Sequence, residues 1–395
     1  VSAPARSIAV VGAGVAGLAT ALACARAGHR VQVFEQVREF APVGAGIQLG
    51  PNATRVLHDL GLESAVRAVA AFPAELQVRS GIDARLLGVL PLGKQAQTRY
   101  GAPYATLARA DLHHILLTAL EAHTQASLYL ASHIDSAQQD SGAVQFRTAD
   151  GMVRRVECMA AADGLWSKLR SQVLYDTPPD ATGHIAYRAL VPQADLPEDL
   201  RSAVVTAWLG PNFHAVTYPV RGGAWLNAVV VVHGVGEGES DNWSQPAEPE
   251  AVAARLDGAA LALRDLVQAM GAWQSWTLFD RPPLRSAALM GAARIALVGD
   301  AAHPMRPYLA QGAGMALEDS WCLARELSRP GFSVDQAVQA YANARWQRNA
   351  RVQKRAARNG VWFHSSGARA RVRDLGMRVL GARTLDMPWL YGYRA

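Results

Sequence analysis

The sequence predicts an α/β protein: a parallel sheet flanked by helices, an antiparallel sheet inserted into it, and a helical C-terminal segment. Three observations carry that reading. Val10-Val11-Gly12-Ala13-Gly14-Val15-Ala16-Gly17 joins an apolar strand to an alanine-rich helix. Four runs between Gly183 and His233 have the composition and turn punctuation of strands. Far downstream, Gly299-Asp300-Ala301-Ala302-His303-Pro304 again follows an apolar strand, so the chain returns to its first sheet after the insertion.

Ser7 to Val11 is the first strand, and Gly17 to Ala27 a helix that Gly28 stops. Val31 to Glu35 alternates as a second strand, closing a βαβ unit of about thirty residues, the size a dinucleotide-binding fold requires. Val43 to Leu60 begins as a glycine-rich turn and becomes helix after Pro51-Asn52, and Arg109 opens a helix running to about Glu121. Ala126 to Val156 alternates with turns at Asp140-Ser141-Gly142 and Asp150-Gly151, which predicts a small β-meander. The inserted sheet comprises His184 to Val191, Val204 to Gly210, Phe213 to Val220 and Trp225 to His233; Gly234 to Pro249 reads as a surface loop. Ala293 to Val298 is a strand again, a helix ends near Leu327, and helices finish the chain. The expected domains are a discontinuous nucleotide-binding domain (1–75, 100–180, 285–330), a substrate-binding β-sheet domain (76–99, 181–284) and a C-terminal helical segment (331–395).

Composition narrows the class. A chain of 395 residues, half of them hydrophobic and 18% charged, supports two packed domains and excludes a disordered one. Three cysteines without a CxxC pair exclude a disulfide framework and a zinc ribbon and fit a reducing, cytoplasmic setting. The first strand is reached by about Ile8 without a leader pattern, and no apolar run reaches the ~20 residues of a membrane span. The net charge of +6 is concentrated between Arg345 and Arg383, where eleven basic residues face one acid, Asp374. Arg345, Arg348, Arg351, Lys354, Arg355 and Arg358 recur at helical spacing and read as a solvated face. Aromatic interleaving is missing, which argues against nucleic acid. The expected assembly is a monomer or a homodimer.

The glycines specify a ligand. Gly12 permits the turn after the strand, Gly14 lets backbone approach a diphosphate, and Gly17 lets the helix pack on the sheet. Glu35, eighteen residues after Gly17 at the end of the second strand, suits the adenosine ribose hydroxyls. Asp300 suits a ribityl hydroxyl. The helix opened by Gly312, Ala313, Gly314 and Met315 aims its N-terminus at the pyrimidine edge of a flavin, where reduction places negative charge. Together these predict a Rossmann-like FAD-binding domain.

In this order the motifs resemble the single-component FAD-dependent aromatic hydroxylases, the family related to p-hydroxybenzoate hydroxylase, over roughly Ile8 to Arg355. The resemblance implies flavin contacts for Arg109 with Asp111. It places Ala162-Asp163-Gly164, with Ser167 and Arg170, in a motif serving FAD and the nicotinamide. It adds Gln36, Gly46, Ile47 and Pro307 to the cofactor-binding set. The implied reaction is reduction of FAD by NADH or NADPH, O₂ attack, and transfer of an electrophilic oxygen from a C4a-hydroperoxyflavin to an activated ring. Gly44 to Ile47, Tyr187-Arg188 and His303 to Gly312 are most similar to enzymes acting on small hydroxylated aromatic carboxylates: salicylate, 3-hydroxybenzoate and 6-hydroxynicotinate hydroxylases. Pro307 stands where the 3-hydroxybenzoate enzymes carry glutamine, and Gln48 and Tyr308 where the hydroxynicotinate enzyme carries histidine.

Strand periodicity puts His214, Val216 and Tyr218 on one face, with His214 and Tyr218 roughly 13 Å apart along the strand, able to flank one ring. A neutral histidine near pH 7 is a natural base for a phenol, whose anion is the better nucleophile; Tyr218 shares or orients that hydrogen bond. His303 either touches substrate or flavin, or caps the turn before Pro304; Arg306 either meets a substrate carboxylate or lies on the surface. The remaining histidines show no metal-ligand spacing, so no metal is expected. A flavin dehydrogenase or oxidase, and a non-enzymatic flavin-binding protein, remain alternatives at this level.

Overall fold

Two sheets and one long helix organise the molecule. The computed structural model describes residues 4–41, 45–134, 136–148, 151–174, 177–234 and 245–395; Val43 and Gly44 of the glycine-rich turn, Asp150 of the second meander turn and most of the predicted 234–249 loop lie outside them. The first sheet has six strands in the order Gly291–Ala292, Ile295–Leu297, Cys158–Ala161, Ser7–Val11, Arg30–Phe34 and Ala126–Tyr129. Every pairing is parallel except the edge hairpin formed by Gly291–Ala292 and Ile295–Leu297. Its central strands are continuous apolar runs because helices cover both faces of a parallel sheet. The helix Val15–Arg26 packs between the sheet, the helix Gly312–Leu327 and the helix Arg109–Glu121. It starts at Val15, so Gly17 lies in its first turn rather than opening it.

Two strand expectations change. Ala126–Tyr129 does not belong to the meander; it pairs with Arg30–Phe34 and widens the first sheet. Alternation identifies a strand but carries no information on its partner. The meander is Ala137–Gln139, Val144–Arg147 and Val153–Val156. In the predicted surface loop, Gln245–Ala247 pairs with Trp273–Asp280. Pro246 is tolerated there because this is an edge strand.

The second sheet has eight strands: Gln245–Ala247, Trp273–Asp280, Asp180–Pro192, Trp225–His233, Phe213–Val220, Val205–Gly210, Glu75–Ser80 and Leu86–Pro91. It is antiparallel apart from Val205–Gly210 with Glu75–Ser80. One face packs Phe213, Ala215, Val230 and Trp273 against helices Pro249–Ala254 and Leu261–Ala269, which the sequence reading did not separate from the strands. The other face carries His214, Tyr218 and their neighbours. A two-stranded ribbon, Gly46–Leu49 with Ala105–Ala108, bridges the sheets, and the Gly46 N–H donates to Asn227 Oδ1 at 2.7 Å.

The chain closes with the helix Val334–Phe363, thirty residues long and started by a Ser333–Gln336 capping box, and then Gly367–Leu380. The solvated basic face needs correction. Arg345 is fully buried and Arg348 nearly so; both turn inward onto Glu318 and Asp319, while Arg351, Lys354 and Arg358 remain exposed. Helical spacing groups these arginines but cannot say which side holds buried acids. Among the described residues, no helix is long and apolar enough to cross a membrane.

Replacing Arg345 by methionine leaves two buried carboxylates short of a counter-charge and is expected to cost about 3–5 kcal/mol in urea unfolding. A loss within about 1 kcal/mol, the size of a solvated ion pair, contradicts this assignment.

Candidate active site

The glycine loop is built around close backbone contact. A Cβ on Gly17 would stand 1.8 Å from the Gly12 carbonyl oxygen, and one on Gly12 would stand 2.5 Å from that of Ala162. Gly12 also has φ +94°, so it is required twice over. Gly14 differs: a Cβ there meets nothing within 4 Å, so its backbone fronts open space at the N-terminus of the Val15–Arg26 helix. That is the cradle a diphosphate needs. Glu35 stands beside it, accepting from the Ala13 N–H at 2.7 Å and the Val37 N–H at 3.1 Å, while Gln36 Oε1 meets His133 Nδ1 at 3.0 Å. Arg109 lies at the ribbon's end, its N–H donating to the Ala45 carbonyl at 2.7 Å; Ile47 is in the same ribbon, paired with Leu107.

A second group gathers at the Gly312–Leu327 helix. Its first turn holds no acid, its N-cap is Gln311, and an added Cβ on Gly312 would come no nearer than 4.0 Å to the Asp300 carboxylate. Asp300 is exposed, with its carboxylate near the first residue of that helix. Asp163 works within its own turn, accepting from the Ser167 hydroxyl at 2.6 Å and the Leu169 N–H at 3.3 Å; burial raises its pKa. Arg170, buried, donates to the Ala301 and Ala302 carbonyls at 2.9 and 2.7 Å and so clamps this turn to the Asp300 turn. These parts fit FAD: an open backbone cradle, a carboxylate at each end, and an uncompensated helix N-terminus.

Behind that helix lies a dry ion network. Arg345 donates to Glu318 at 2.6 Å and Asp319 at 2.7 Å, and Arg348 grips Glu318 at 2.6 and 2.8 Å. Asp319 also accepts from His303 Nε2 at 2.5 Å, Asn349 at 3.0 Å and the Gly299 N–H at 3.2 Å. Burial alone would raise the Asp319 pKa; the charges and hydrogen bonds of His303 and Arg345 override it and hold it well below the carboxylate range. His303 is thus placed in this network, 1% exposed, and not beside His214. Arg306 pairs with Asp280 at 2.5 Å.

The substrate-side residues follow from strand register. Arg188 pairs with Val229, and Val229 with Val216, so the three form one row on one face, with Arg188 and Val216 roughly 10 Å apart. Val216 and Val229 are only half-buried, although His214 and Tyr218 on either side of Val216 are buried. The face therefore has an apolar opening flanked by a histidine, a tyrosine and an arginine. Arg188 lies 5.0 Å from the Trp276 ring, and desolvation together with the charge of Arg109 lowers its pKa. Arg188 Nε, Asn227 Nδ2 and Tyr308 Oη are buried without a hydrogen-bond partner among the described residues. Such groups call for an acceptor or a polar ligand.

His214 and Tyr218 share a face as expected but keep different company. Tyr218 belongs to a buried cluster with Tyr391, Tyr104 and Met315, and a Cβ on Gly46 would strike its ring at 2.7 Å. Burial pushes its hydroxyl pKa up. His214 sits under Tyr308, ring centroids 4.9 Å apart, and its Nδ1 lies 2.6 Å from His364 Nε2. Burial, and then the His184 charge, lower its pKa to about 3. Sequence reading missed Asn227, Tyr308 and His364 as neighbours, and named Arg188 only through resemblance. Register and the return of the Val334–Phe363 helix, which place them, leave no local signal.

With the site described, the class is a flavoprotein, and the half-buried Val216–Val229 row is an apolar patch on its second sheet. Residues 6–356 match the family model described as FAD binding domain. The chain is 35% identical to 3-hydroxybenzoate 6-hydroxylase of Polaromonas naphthalenivorans, covering 97% of this chain and 95% of that one. It is 34% identical to 6-hydroxynicotinate 3-monooxygenase of Bordetella bronchiseptica, covering 91% and 92%. A solved salicylate hydroxylase substrate complex superposes with TM-score 0.83 at 27% identity, covering 99% and 96%. The chain belongs to this FAD-dependent family of aromatic-ring monooxygenases. That sets aside the dehydrogenase, oxidase and non-enzymatic alternatives.

The Asp319 shift has a definite pH consequence. A carboxylate with a depressed folded pKa contributes stability that is complete above its unfolded value, ~3.9, and is lost as pH falls towards the folded one. Wild type should therefore lose stability more steeply below pH ~4 than Asp319→Asn, as measured by urea midpoints. Parallel pH profiles contradict the shift.

Proposed function

We propose that this enzyme hydroxylates a phenolic or hydroxypyridine carboxylate, using NADH or NADPH and O₂. The observation that carries the reading is the row Arg188–Val229–Val216, with His214 and Tyr218 on either side of Val216. A ring laid on the two valines meets a cation on one side and a base with a hydroxyl donor on the other. The named relatives act on rings bearing both a carboxylate and a hydroxyl.

The glycine loop of Gly12, Gly14 and Gly17 would hold the FAD diphosphate, Glu35 the adenosine ribose, Asp300 the ribityl chain, and the Gly312–Met315 turn the pyrimidine edge. Bound FAD supplies the electrons that activate O₂ and the electrophilic oxygen that the ring receives. Arg188 fixes the carboxylate by a charge-assisted hydrogen bond. Tyr218, kept protonated by burial, donates to the substrate oxygen. His214, neutral at any pH well above 3, accepts the phenolic proton. Burial makes His214 a poor store for that proton. His364 Nε2 stands 2.6 Å from it, and His364 Nδ1 stands 2.9 Å from Nε2 of exposed His233, so a chain of imidazoles leads to water. His303 serves as a positioning residue through Asp319.

Arg188→Met is expected to raise KM for the aromatic carboxylate roughly 10–100-fold, the worth of a hydrogen bond to a charged group, with a smaller change in kcat. An unchanged KM contradicts the carboxylate assignment. His214→Gln should retain FAD and lower kcat by roughly 100-fold or more at neutral pH. The deficit should shrink as pH rises towards the phenol's own pKa, ~10 for a tyrosine-like ring, because solvent then removes the proton. A deficit that is constant with pH contradicts the role as base.

A further inference from the structure

Four histidines, scattered over 181 positions of sequence, converge at one end of the second sheet. His184 and His233 are register partners on adjacent strands, with ring centroids 4.6 Å apart and planes at 87°. His364 follows the Val334–Phe363 helix and lies between His233 and His214, bonded to each through a different ring nitrogen. One nitrogen each from His184, His233 and His364 lies within 4.8 Å of the others. The Thr182 backbone approaches the His184 ring, favouring its protonated form, but completes no hydrogen bond to the buried Nδ1.

We propose that His184, His233 and His364 form a binding site for one divalent transition-metal ion of the zinc, copper, nickel or cobalt class. The donor set decides the class: three imidazoles without a carboxylate favour these ions over magnesium or calcium. Charged side chains also approach the cluster: the Arg255 guanidinium would stand 3.7 Å from a Cβ on Gly234, and three others are engaged elsewhere. Arg306 and Asp280 pair with each other, and Arg373 donates to the Trp362 and Phe363 carbonyls and to Asp374.

One pair is already close to the required spacing, and the widest separation among the three nitrogens, within 4.8 Å, has to shorten by up to about 1.5 Å. A tetrahedral zinc ion with Zn–N bonds of about 2.0–2.1 Å sets its nitrogen ligands roughly 3.3 Å apart. His233 Nε2 and His364 Nδ1 are now 2.9 Å apart, sharing a proton that the ion would replace. Paired strands hold two ligands. The third is pinned through Asn212, whose N–H donates to the His364 carbonyl at 3.2 Å and whose carbonyl accepts from the His233 N–H at 3.0 Å. His233 is exposed, which gives the ion an entry path and leaves a fourth position for water.

Occupancy would reach the proposed base, a consequence that rests on the function proposed above. An ion on His364 Nδ1 leaves the proton of that ring on Nε2, which then donates to His214 Nδ1. His214 must carry its own proton on the other nitrogen, so neither lone pair is free for a phenol, and the imidazole chain to water is cut. Metal would act as an inhibitor.

The test is calorimetric titration of Zn²⁺ into chelator-treated, FAD-loaded enzyme without aromatic substrate, with Co²⁺ absorbance reporting coordination. The expected result is one equivalent bound, with a tetrahedral cobalt spectrum. His184→Ala and His233→Gln should each weaken it by more than roughly 100-fold, beyond the 10–100-fold that an outer contact is worth. Unchanged thermal melts show that both variants are folded. No stoichiometric binding by wild type, or binding that survives both substitutions, overturns the site. Zn²⁺ should then suppress turnover of any accepted ring. Binding without suppression retains the site and removes its link to His214, so the two readings fail separately.

Discussion

Glu318 and Asp319 sit side by side in the middle of a helix with almost no access to water, an arrangement made tolerable by Arg345 and Arg348 together with His303. Two buried carboxylates without partners would each cost several kcal/mol. Paired, they become a junction between three elements: the Pro51–Asp59 helix, the Asp300 turn and the Val334–Phe363 helix. Glu318 reaches the Pro51–Asp59 helix through Asn52, and Asp319 reaches the Asp300 turn through His303 and the Gly299 N–H. The arginines belong to the long C-terminal helix, so its direction is fixed by the same charges that fix the proposed flavin edge. That helix delivers Gly360 and then His364, which follows its last residue, to the second sheet. An added Cβ on Gly360 would stand 2.6 Å from the Tyr308 ring, so this close approach depends on glycine.

The second sheet contributes by register rather than by any local motif. Antiparallel pairing sets Arg188, Val229 and Val216 in one row and His184 opposite His233 in another. A slip of one residue would turn His214 and Tyr218 to the helix-covered face. The hydrogen bond from the Gly46 N–H to Asn227 Oδ1 ties that register to the Gly46–Leu49 ribbon.

Much of the fold was legible because its signals are local. The glycine loop, the strand periods from Phe213 to His233 and the helix after Gln311 all stand where the sequence puts them. What was not legible depends on partners distant in the chain. Ala126–Tyr129 has the pattern of a meander strand and is an edge of the parallel sheet. Arg345 has the spacing of a surface arginine and is buried, because its acids lie 26 and 27 residues earlier on another helix. The site divides the same way. His214 and Tyr218 share a face because a strand has period two, whereas His364 joins them only through a helix that returns across 150 residues. Four histidines without ligand spacing in sequence are neighbours in space for that reason.

The central claim is that a ring carrying both a hydroxyl and a carboxylate lies on the Val216–Val229 patch and gains an oxygen atom. It is tested most directly by turnover under ¹⁸O₂ with NADH and NADPH against salicylate, 3- and 4-hydroxybenzoate and 6-hydroxynicotinate, with products read by mass spectrometry. The account predicts that at least one such ring accelerates pyridine-nucleotide oxidation and acquires one ¹⁸O atom. It also predicts that the same ring without its carboxylate does so far less well. Pyridine-nucleotide oxidation that yields only peroxide with every carboxylate, or equal turnover of the decarboxylated ring, would contradict it.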